Sequence, residues 1–295
     1  VLVSMNQPTG RPDYNWEEFA TPESFEKMKK DRDALEEAWS SRMKKTGFTF
    51  AFHHSDEIRP NGKIVAKKSI ESIYSSCTHN FEVFAIDNQS TPRSSFNETL
   101  DLSLPKYNNL NHTYVENQFL TGLTGAWNRG IKEAIDAGCD VVILSGDDIV
   151  VDSTINLMVD YILNDPKNDN TVYGPVAGGI GNIPIQNFPG PTGKNVEVSG
   201  KVWGQHLGGH MYAFSKELYN KKALPNGDLF SIEHPHNGGD GKWGGNEGQI
   251  MTWAEEGTRC VVVGDCWVNH LNMTDRSYRD ARELDNWWKN KKNTI

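Results

Sequence analysis

The sequence predicts an α/β fold with a mostly parallel central sheet flanked by helices, preceded by an N-terminal helical appendage. Three observations predict it. From Phe48 onward, short apolar runs rich in β-branched and aromatic residues alternate with segments of helical spacing. The intervals between them suit right-handed strand–helix–strand crossovers. The most apolar run, Val141–Val151, carries two adjacent carboxylates, Asp147 and Asp148, immediately past its apolar core. In open α/β sheets that is where ligands are met, beyond the carboxyl ends of strands.

The elements follow in order. Residues 1–22, with Pro8, Pro12 and Pro22, read as an extended arm. From Pro22 to Lys45 the chain turns helical, with Ser24 as a cap, Lys44 and Lys45 suiting the C-terminal end of the dipole, and a weak apolar face of Phe25, Met28, Leu35, Trp39 and Met43. Phe48–Phe52 is a strand, Ala66–Tyr74 a helix, Phe81–Ile86 a second strand and Thr113–Val115 a third. Leu120–Ala137 is a helix ended by Gly138, and Val141–Val151 reads as a buried strand. Beyond it, Tyr173–Ala177 is a strand and residues 178–200 are a long loop dense in Gly, Pro and Asn; such loops are commonly functional. Order resumes at Lys201–Trp203, and Gly208–Phe214 is a strand before a helix from Ser215 to Lys222. A helix over Gln249–Glu256, strands over Cys260–Val263 and Cys266–Leu271, and an amphipathic tail with Leu284, Trp287 and Trp288 complete the chain. The expected division is 1–46 (arm and helix) and 47–295 (main domain), the latter comprising a nucleotide-binding half 47–151, an acceptor and catalytic half 152–272 and a C-terminal helix 273–295.

Composition narrows the function. The chain has 295 residues, 37% hydrophobic and 23% charged, enough for a core. A net charge of -9 argues against a nucleic-acid partner, because phosphate backbones need a basic footprint. No run of about 18 apolar residues exists, so no membrane span is expected. Val1–Asn6 lacks a signal-peptide pattern and an initiator Met, as in a processed piece. Cys77, Cys139, Cys260 and Cys266 lack metal-site spacing; Cys139 and Cys260 are expected as buried thiols, and the compartment as cytoplasmic or otherwise reducing.

The chemistry is carried by polar residues at strand ends. Asp147 and Asp148 offer hard oxygens suited to Mg²⁺ or Mn²⁺ and to a bridged diphosphate; the alternative is an acidic turn. Asp87 ends the second strand, either as an acceptor for a ring N–H of a base or as a turn-forming side chain. Asn128 and Arg129, placed at a helix start, meet a base or phosphate or else form a helix-surface pair. Phe52, His53 and His54 close the first strand beside the same crevice, the histidines as ligands or as polar lining.

Three of these segments resemble the nucleotide-binding half of GT-A-fold glycosyltransferases, in particular glycosyltransferase family 2. Glu82–Ser90 is similar to the family's second strand with its Asp-Asn-x-Ser end, Gly122–Gly130 to its Gly-rich helix start, and Ser145–Asp148 stands in the place of its Asp-x-Asp motif, with Gly146 where the first Asp would be. In the second half, Lys242–Glu247 resembles the Trp-Gly-Gly-Glu-Asp segment of beta-1,4-galactosyltransferases, with Asn246 replacing the Glu and Glu247 at the catalytic Asp. A His soon after the last strand, His270, resembles the third metal ligand of GT-A enzymes.

The resemblance implies a metal-dependent glycosyltransferase, a hexosyl- or pentosyltransferase acting in glycan biosynthesis. It would move a sugar from a UDP-, GDP- or dTDP-sugar to a glycan or other hydroxyl acceptor, with inversion. Asp148 and His270 would hold Mn²⁺ or Mg²⁺, and Phe52, His53, Asp87, Asn128, Arg129 and Asp147 would line the donor site. Glu247 would deprotonate the acceptor hydroxyl or else cap its helix, with Asp240 in reserve. Arg276 and Arg279 would close over the diphosphate, and Trp203 and Trp243 would shape the acceptor pocket. The alternatives are a retaining GT-A transferase, a nucleotidyltransferase, whose Gly-rich first loop His53–Asp56 does not resemble, and a non-catalytic carbohydrate-binding module.

Overall fold

The computed structural model describes residues 21–57, 59–115, 122–179, 187, 193–201, 206–234 and 246–271. The chain divides after Met43 into two compact units. Within the first, helix α1 spans Pro22–Met43. Its cap is Thr21 rather than Ser24: the Thr21 hydroxyl accepts from the Ser24 amide (3.2 Å), and Pro22 takes the first helical position, where its missing N–H costs nothing.

The second unit is built on a nine-stranded sheet of order β3-β2-β1-β4-β8-β6-β9-β5, with β7 paired to β9. Its strands are β1 Lys45–Phe52, β2 Asn80–Asn88, β3 Leu110–Val115, β4 Val141–Ser145, β5 Ile149–Val151, β6 Thr171–Gly179, β7 Val196–Val198, β8 Met211–Ser215 and β9 Arg259–His270. The pairs β1/β2, β2/β3, β1/β4 and β6/β9 are parallel, whereas β8 opposes β4 and β6, and β5 and β7 oppose β9. Strands β1, β2, β3, β4, β6 and β9 therefore run one way. The helices are α2 Gly62–Ser76, α3 Ser95–Thr99, α4 Gly122–Asp136, α5 Ile155–Asn164, α6 Lys216–Lys222 and α7 Glu247–Glu255.

The strand period of two splits the core between the faces of the sheet. Phe48, Phe50, Val83, Ala85 and Ile143 point to one face, where Ala66, Ile70 and Ile73 of α2 and Ile155, Met158 and Ile162 of α5 cover them. Ala51, Phe84, Ile86, Val142 and Leu144 point to the other, against Trp127, Ile131 and Ala134 of α4 and Ile250 and Trp253 of α7. Helix α4 sits so close to β1 that a Cβ on Gly130 would run into the Thr49 methyl.

The structure departs from the expected elements in four places. The run Val141–Val151 is not one strand: β4 lies at the centre of the sheet and β5 at its edge. Only Gly146, Asp147 and Asp148 join them. That is at most about 14 Å of extended chain, whereas the four strand spacings between β4 and β5 would take about 19 Å in a flat sheet. The sheet is accordingly curled, and the acidic segment spans the short way across the curl. Helix α5 went unread in the sequence, and β7 lies inside the expected long loop. The last two expected strands are one, β9, whose register against β6 shifts between Pro175 and Val176. The expected C-terminal helix, Trp203, Trp243, Asp240, Arg276 and Arg279 lie outside the described residues. Among the described residues no helix is long and apolar enough to cross a membrane, and all four cysteines are buried thiols outside any disulfide.

Candidate active site

Strand direction gathers the polar residues. The carboxyl ends of β1, β2, β4 and β9 share one edge of the sheet, and β8 and β5, running oppositely, begin there. His53, Asp87, Gly146–Asp148, His210 and His270 are thus delivered to one edge although they span most of the second unit.

At the curl, Leu271 donates its amide to the Asp148 carbonyl (2.8 Å), and Gly146 donates to the His210 carbonyl (3.1 Å). These bonds pin the acidic segment between the end of β9 and the start of β8. His270 Nε2 stands 3.2 Å from Asp148 Oδ2. Burial disfavours the Asp148 carboxylate, but the adjacent His270 and Arg59 outweigh it and hold the carboxyl below its ordinary range. Burial likewise disfavours a charged His270, and Asp148 outweighs it, raising the imidazole. His210 stacks on the His270 ring, with centroids 6.0 Å apart and planes at 27°. It is 6% exposed, and burial, with His270 nearby, pushes it down to about 3, so it is neutral.

Asp147 faces a different partner. Arg59, from the loop between β1 and α2, grips its carboxylate with both guanidinium nitrogens, Nη2 to Oδ1 at 2.5 Å and Nη1 to Oδ2. Asp147 also accepts from the His53 amide (3.2 Å), and Arg59 donates to the His53 carbonyl (3.1 Å). Burial, with Asp148 adding to it, raises the Asp147 carboxyl against the pull of Arg59; burial disfavours a charged Arg59, and Asp147 outweighs it and raises the guanidinium. The Asp147 oxygens are held by Arg59, and Asp148 is the carboxylate beside His270. A buried ion pair resists the loss of one partner far more than of both. Arg59→Met should therefore cost about 3–5 kcal/mol in urea unfolding, and the double variant Arg59→Met/Asp147→Leu should recover most of it.

His53 donates its Nδ1 hydrogen to the Asn88 carbonyl (2.8 Å), fixing the tautomer, and burial drives its pKa to about 4. Its Nε2 has no hydrogen-bond partner. The His54 amide donates to the Ser90 hydroxyl and its ring meets Asp56. Asp87 stands in register with Phe52 of β1 and Tyr114 of β3. It accepts from the Ser90 amide (3.1 Å), the turn contact expected of it, and also lines a cleft of about 410 Å³ with Arg93, Phe96, His112 and Tyr114. Asp87 therefore makes the expected turn contact while also facing the cleft. The cleft has the size of a small-ligand pocket. Arg93 lies 4.2 Å over the Tyr114 ring, and His112 stacks on Phe96 at 4.9 Å, so its walls are planar and part cationic.

Three residues expected to line the donor site have other partners in the structure. The Phe52 side chain is wholly buried against Phe96 (5.4 Å), leaving only its main chain to meet a ligand. Asn128 and Arg129 lie mid-helix, since α4 begins at Gly122. The buried Asn128 amide clamps the Phe230 main chain, donating to its carbonyl (2.7 Å) and accepting from its amide (3.0 Å). Arg129 forms an exposed i,i+4 pair with Glu133. Asn128→Ala should cost about 1–3 kcal/mol in thermal unfolding and leave nucleotide affinity, read by calorimetry, unchanged.

Helix α7 reaches the residue before His210. Asn246, just before the helix, accepts from the Thr124 hydroxyl of α4 (2.7 Å). Glu247 opens the helix and accepts from the Gly209 amide (2.8 Å), the residue before His210. The half-buried Glu247 carboxylate is therefore joined through two consecutive residues to the segment that flanks Asp148.

Arg59 and His210 were not legible in the sequence. Arg59 had no spacing signal, since its partner is 88 positions away; for His210 the flag was the Gly208–Gly209 pair immediately before it.

The residues present fit a divalent cation. A separation of 3.2 Å between Asp148 Oδ2 and His270 Nε2 is that of neighbouring ligands around an ion at about 2.1–2.2 Å. Carboxylate with imidazole suits Mn²⁺ or Mg²⁺ completed by phosphate oxygens and water. Among the described residues no three His, Cys, Asp or Glu side chains converge on one point.

No family model matches the sequence, and no curated protein is similar to it in sequence. Among solved structures, the chain is similar to S. aureus TarS 1-349 in complex with UDP (TM-score 0.55, 13% identity, 82% of this chain and 65% of that one). It is also similar to GalNAc-T7 with UDP, GalNAc and Mn²⁺ (TM-score 0.54, 16% identity, 79% and 44%) and to TarS 1-349 with UDP-GlcNAc (TM-score 0.52, 13% identity, 79% and 60%). The chain spans less than two thirds of each. At these identities the likeness bears on architecture, and the fold is GT-A-like.

Proposed function

We propose that the chain is a metal-dependent glycosyltransferase that moves a sugar from a nucleoside-diphosphate sugar to an acceptor hydroxyl, with inversion. The observation that carries this reading is the Asp148–His270 pair at the carboxyl edge of the sheet, on the same edge as the cleft holding Asp87. Similarity to structures containing UDP, UDP-GlcNAc and, in one, Mn²⁺ supports it, as do the family 2-like segments at Asp87 and Asp148 and the Trp-Gly-Gly stretch before Asn246.

In this reading Asp87 accepts the ring N–H of the base, within walls formed by Arg93 and Tyr114. Asp148 and His270 would hold the cation. When bound, Mn²⁺ or Mg²⁺ acts as a Lewis acid toward the leaving diphosphate. The Arg59–Asp147 pair fixes the main chain of His53 and, through Asp147, the bend that presents Asp148. Glu247 takes the acceptor hydroxyl proton as that oxygen attacks the anomeric carbon. The Gly209 amide orients its carboxylate. Asp240 is the reserve base.

A screen of UDP-, GDP- and dTDP-sugars with Mn²⁺, reading release of the nucleoside diphosphate with and without EDTA, tests the reading. One donor class should be turned over only with the metal. Metal-independent turnover, or metal-dependent binding of free sugars without turnover of any donor, would contradict it, the latter in favour of a carbohydrate-binding module.

A further inference from the structure

Among the described residues, Trp267 is the largest apolar side chain left exposed, at 40%. Folding normally covers most of an indole. Its neighbours along β9, Cys266 and Val268, are buried on the side of the sheet that α2 and α5 cover. Strand alternation therefore turns Trp267 and Asn269 to the opposite face, the one on which α7 packs. Val176, which pairs with Trp267, belongs to the core on that face.

The surface beside the indole is open and fixed. Gly178 pairs with Asn269 and carries no side chain; among the described residues, a Cβ built there would meet only Asn269 Oδ1, at 3.7 Å. Asn269 is itself exposed. The strand beneath is already ordered: the Trp267 amide donates to the Thr154 hydroxyl (2.9 Å), and Val268 pairs with Val151 on one side and Ala177 on the other. A ligand landing here meets a preorganised shelf. An aromatic plane beside an amide, which both donates and accepts, suits a sugar ring: the C–H face packs on the indole and the hydroxyls meet the amide. The apolar area is one indole wide, too small for a protein interface.

The shelf lies in line with the proposed base. Tyr173 of β6 pairs with Ala213 of β8, and continuing that antiparallel register sets His210 opposite Val176. The contact of His210 with the Pro175 carbonyl agrees with this placement. Trp267, Val176 and His210 thus form one row across the sheet, which ends next to Gly209, whose amide Glu247 holds. Two strand spacings separate the ends of the row by about 10 Å. A single sugar whose hydroxyl stands at Glu247 falls short of that span, whereas linked sugars cover it.

We propose that Trp267, with Asn269, is an acceptor platform that holds a sugar beyond the one whose hydroxyl reacts, so that the acceptor is an existing oligosaccharide. This rests on the glycosyltransferase reading above and adds to it a residue that sets acceptor specificity.

The test uses the full chain labelled with fluorotryptophan, the Trp267 signal being identified by its loss in Trp267→Phe. It is titrated with methyl glycosides of glucose, galactose, mannose and N-acetylglucosamine and with their di- and trisaccharides, and the same sugars are offered as acceptors in the transfer assay. An oligosaccharide should move the Trp267 signal and be used in preference to its monosaccharide. Trp267→Ala should raise the oligosaccharide KM about 10-fold, with a much smaller change in kcat, and so erase the preference; Trp267→Phe, which keeps an aromatic plane, should retain most of it. A Trp267 signal that none of these sugars moves, or an acceptor KM unchanged in Trp267→Ala, overturns the platform and leaves the transferase reading standing. A signal that moves while no donor is turned over overturns the transferase reading and the acceptor role with it, leaving a sugar-binding face. The wild-type titration and Trp267→Phe decide the matter even where the Ala variant is unstable.

Discussion

Asp148→Asn should abolish transfer while leaving a folded protein. The substitution keeps the shape of the side chain and removes the charge that faces His270 across 3.2 Å. Lewis-acid stabilisation of a leaving diphosphate is worth several kcal/mol, so turnover should fall on the order of 10³-fold. The Mn²⁺-dependent gain in nucleoside-diphosphate affinity, read by calorimetry, should vanish with it. The cost in stability should be about 1 kcal/mol or less, because the Asp148–His270 pair is partly solvent-accessible. Unchanged metal-dependent binding in a folded variant would remove Asp148 from the site. The contrast with Arg59→Met is informative. That change should destabilise the fold by leaving the buried Asp147 carboxylate alone, so the two adjacent aspartates separate on different measurements.

Glu247→Gln should slow turnover by roughly 10²–10⁴-fold, the range for loss of a general base, with donor affinity held. Glutamine still accepts the Gly209 hydrogen bond seen for Glu247 Oε1, so the wall of the site should stay in place. What disappears is the ability to take a proton. If Glu247 served only to hold Gly209 and the start of α7, the glutamine variant would turn over at nearly the wild-type rate. Asp240 would then be the next carboxylate to replace.

The parts of this molecule legible in the sequence are those written in local pattern. The alternation of Phe48, Phe50 and Phe52 showed a strand with a buried face, and the helical spacing of Ile70 and Ile73 showed α2. Two carboxylates beyond an apolar run pointed to the carboxyl edge of the sheet, and Asp148 and His270, 122 positions apart, do meet there. What local pattern does not contain is where the chain goes next. Residues 141–151 look like one strand because both halves are buried and β-branched; the break at Gly146–Asp148 exists because the sheet curls, which depends on strands read much later in the chain. Asn128 was expected at a helix start because Gly122–Gly130 resembles a Gly-rich helix start. In the structure Gly122 begins α4 with φ +55, and the Asn128 amide is spent on Phe230, 102 residues away. Arg59 and His210 share that difficulty. Each acquires meaning only from a partner delivered by another strand.

The central claim is that a divalent cation sits between Asp148 and His270 and meets the donor diphosphate. Anomalous diffraction at the manganese edge, from crystals of the full chain grown with Mn²⁺ and UDP, tests it most directly. The account predicts one strong peak within coordination distance of Asp148 Oδ2 and His270 Nε2, in contact with the diphosphate, whose base lies in the cleft beside Asp87. A diphosphate bound at this edge with no peak beside it, or a peak held by other residues, would contradict it.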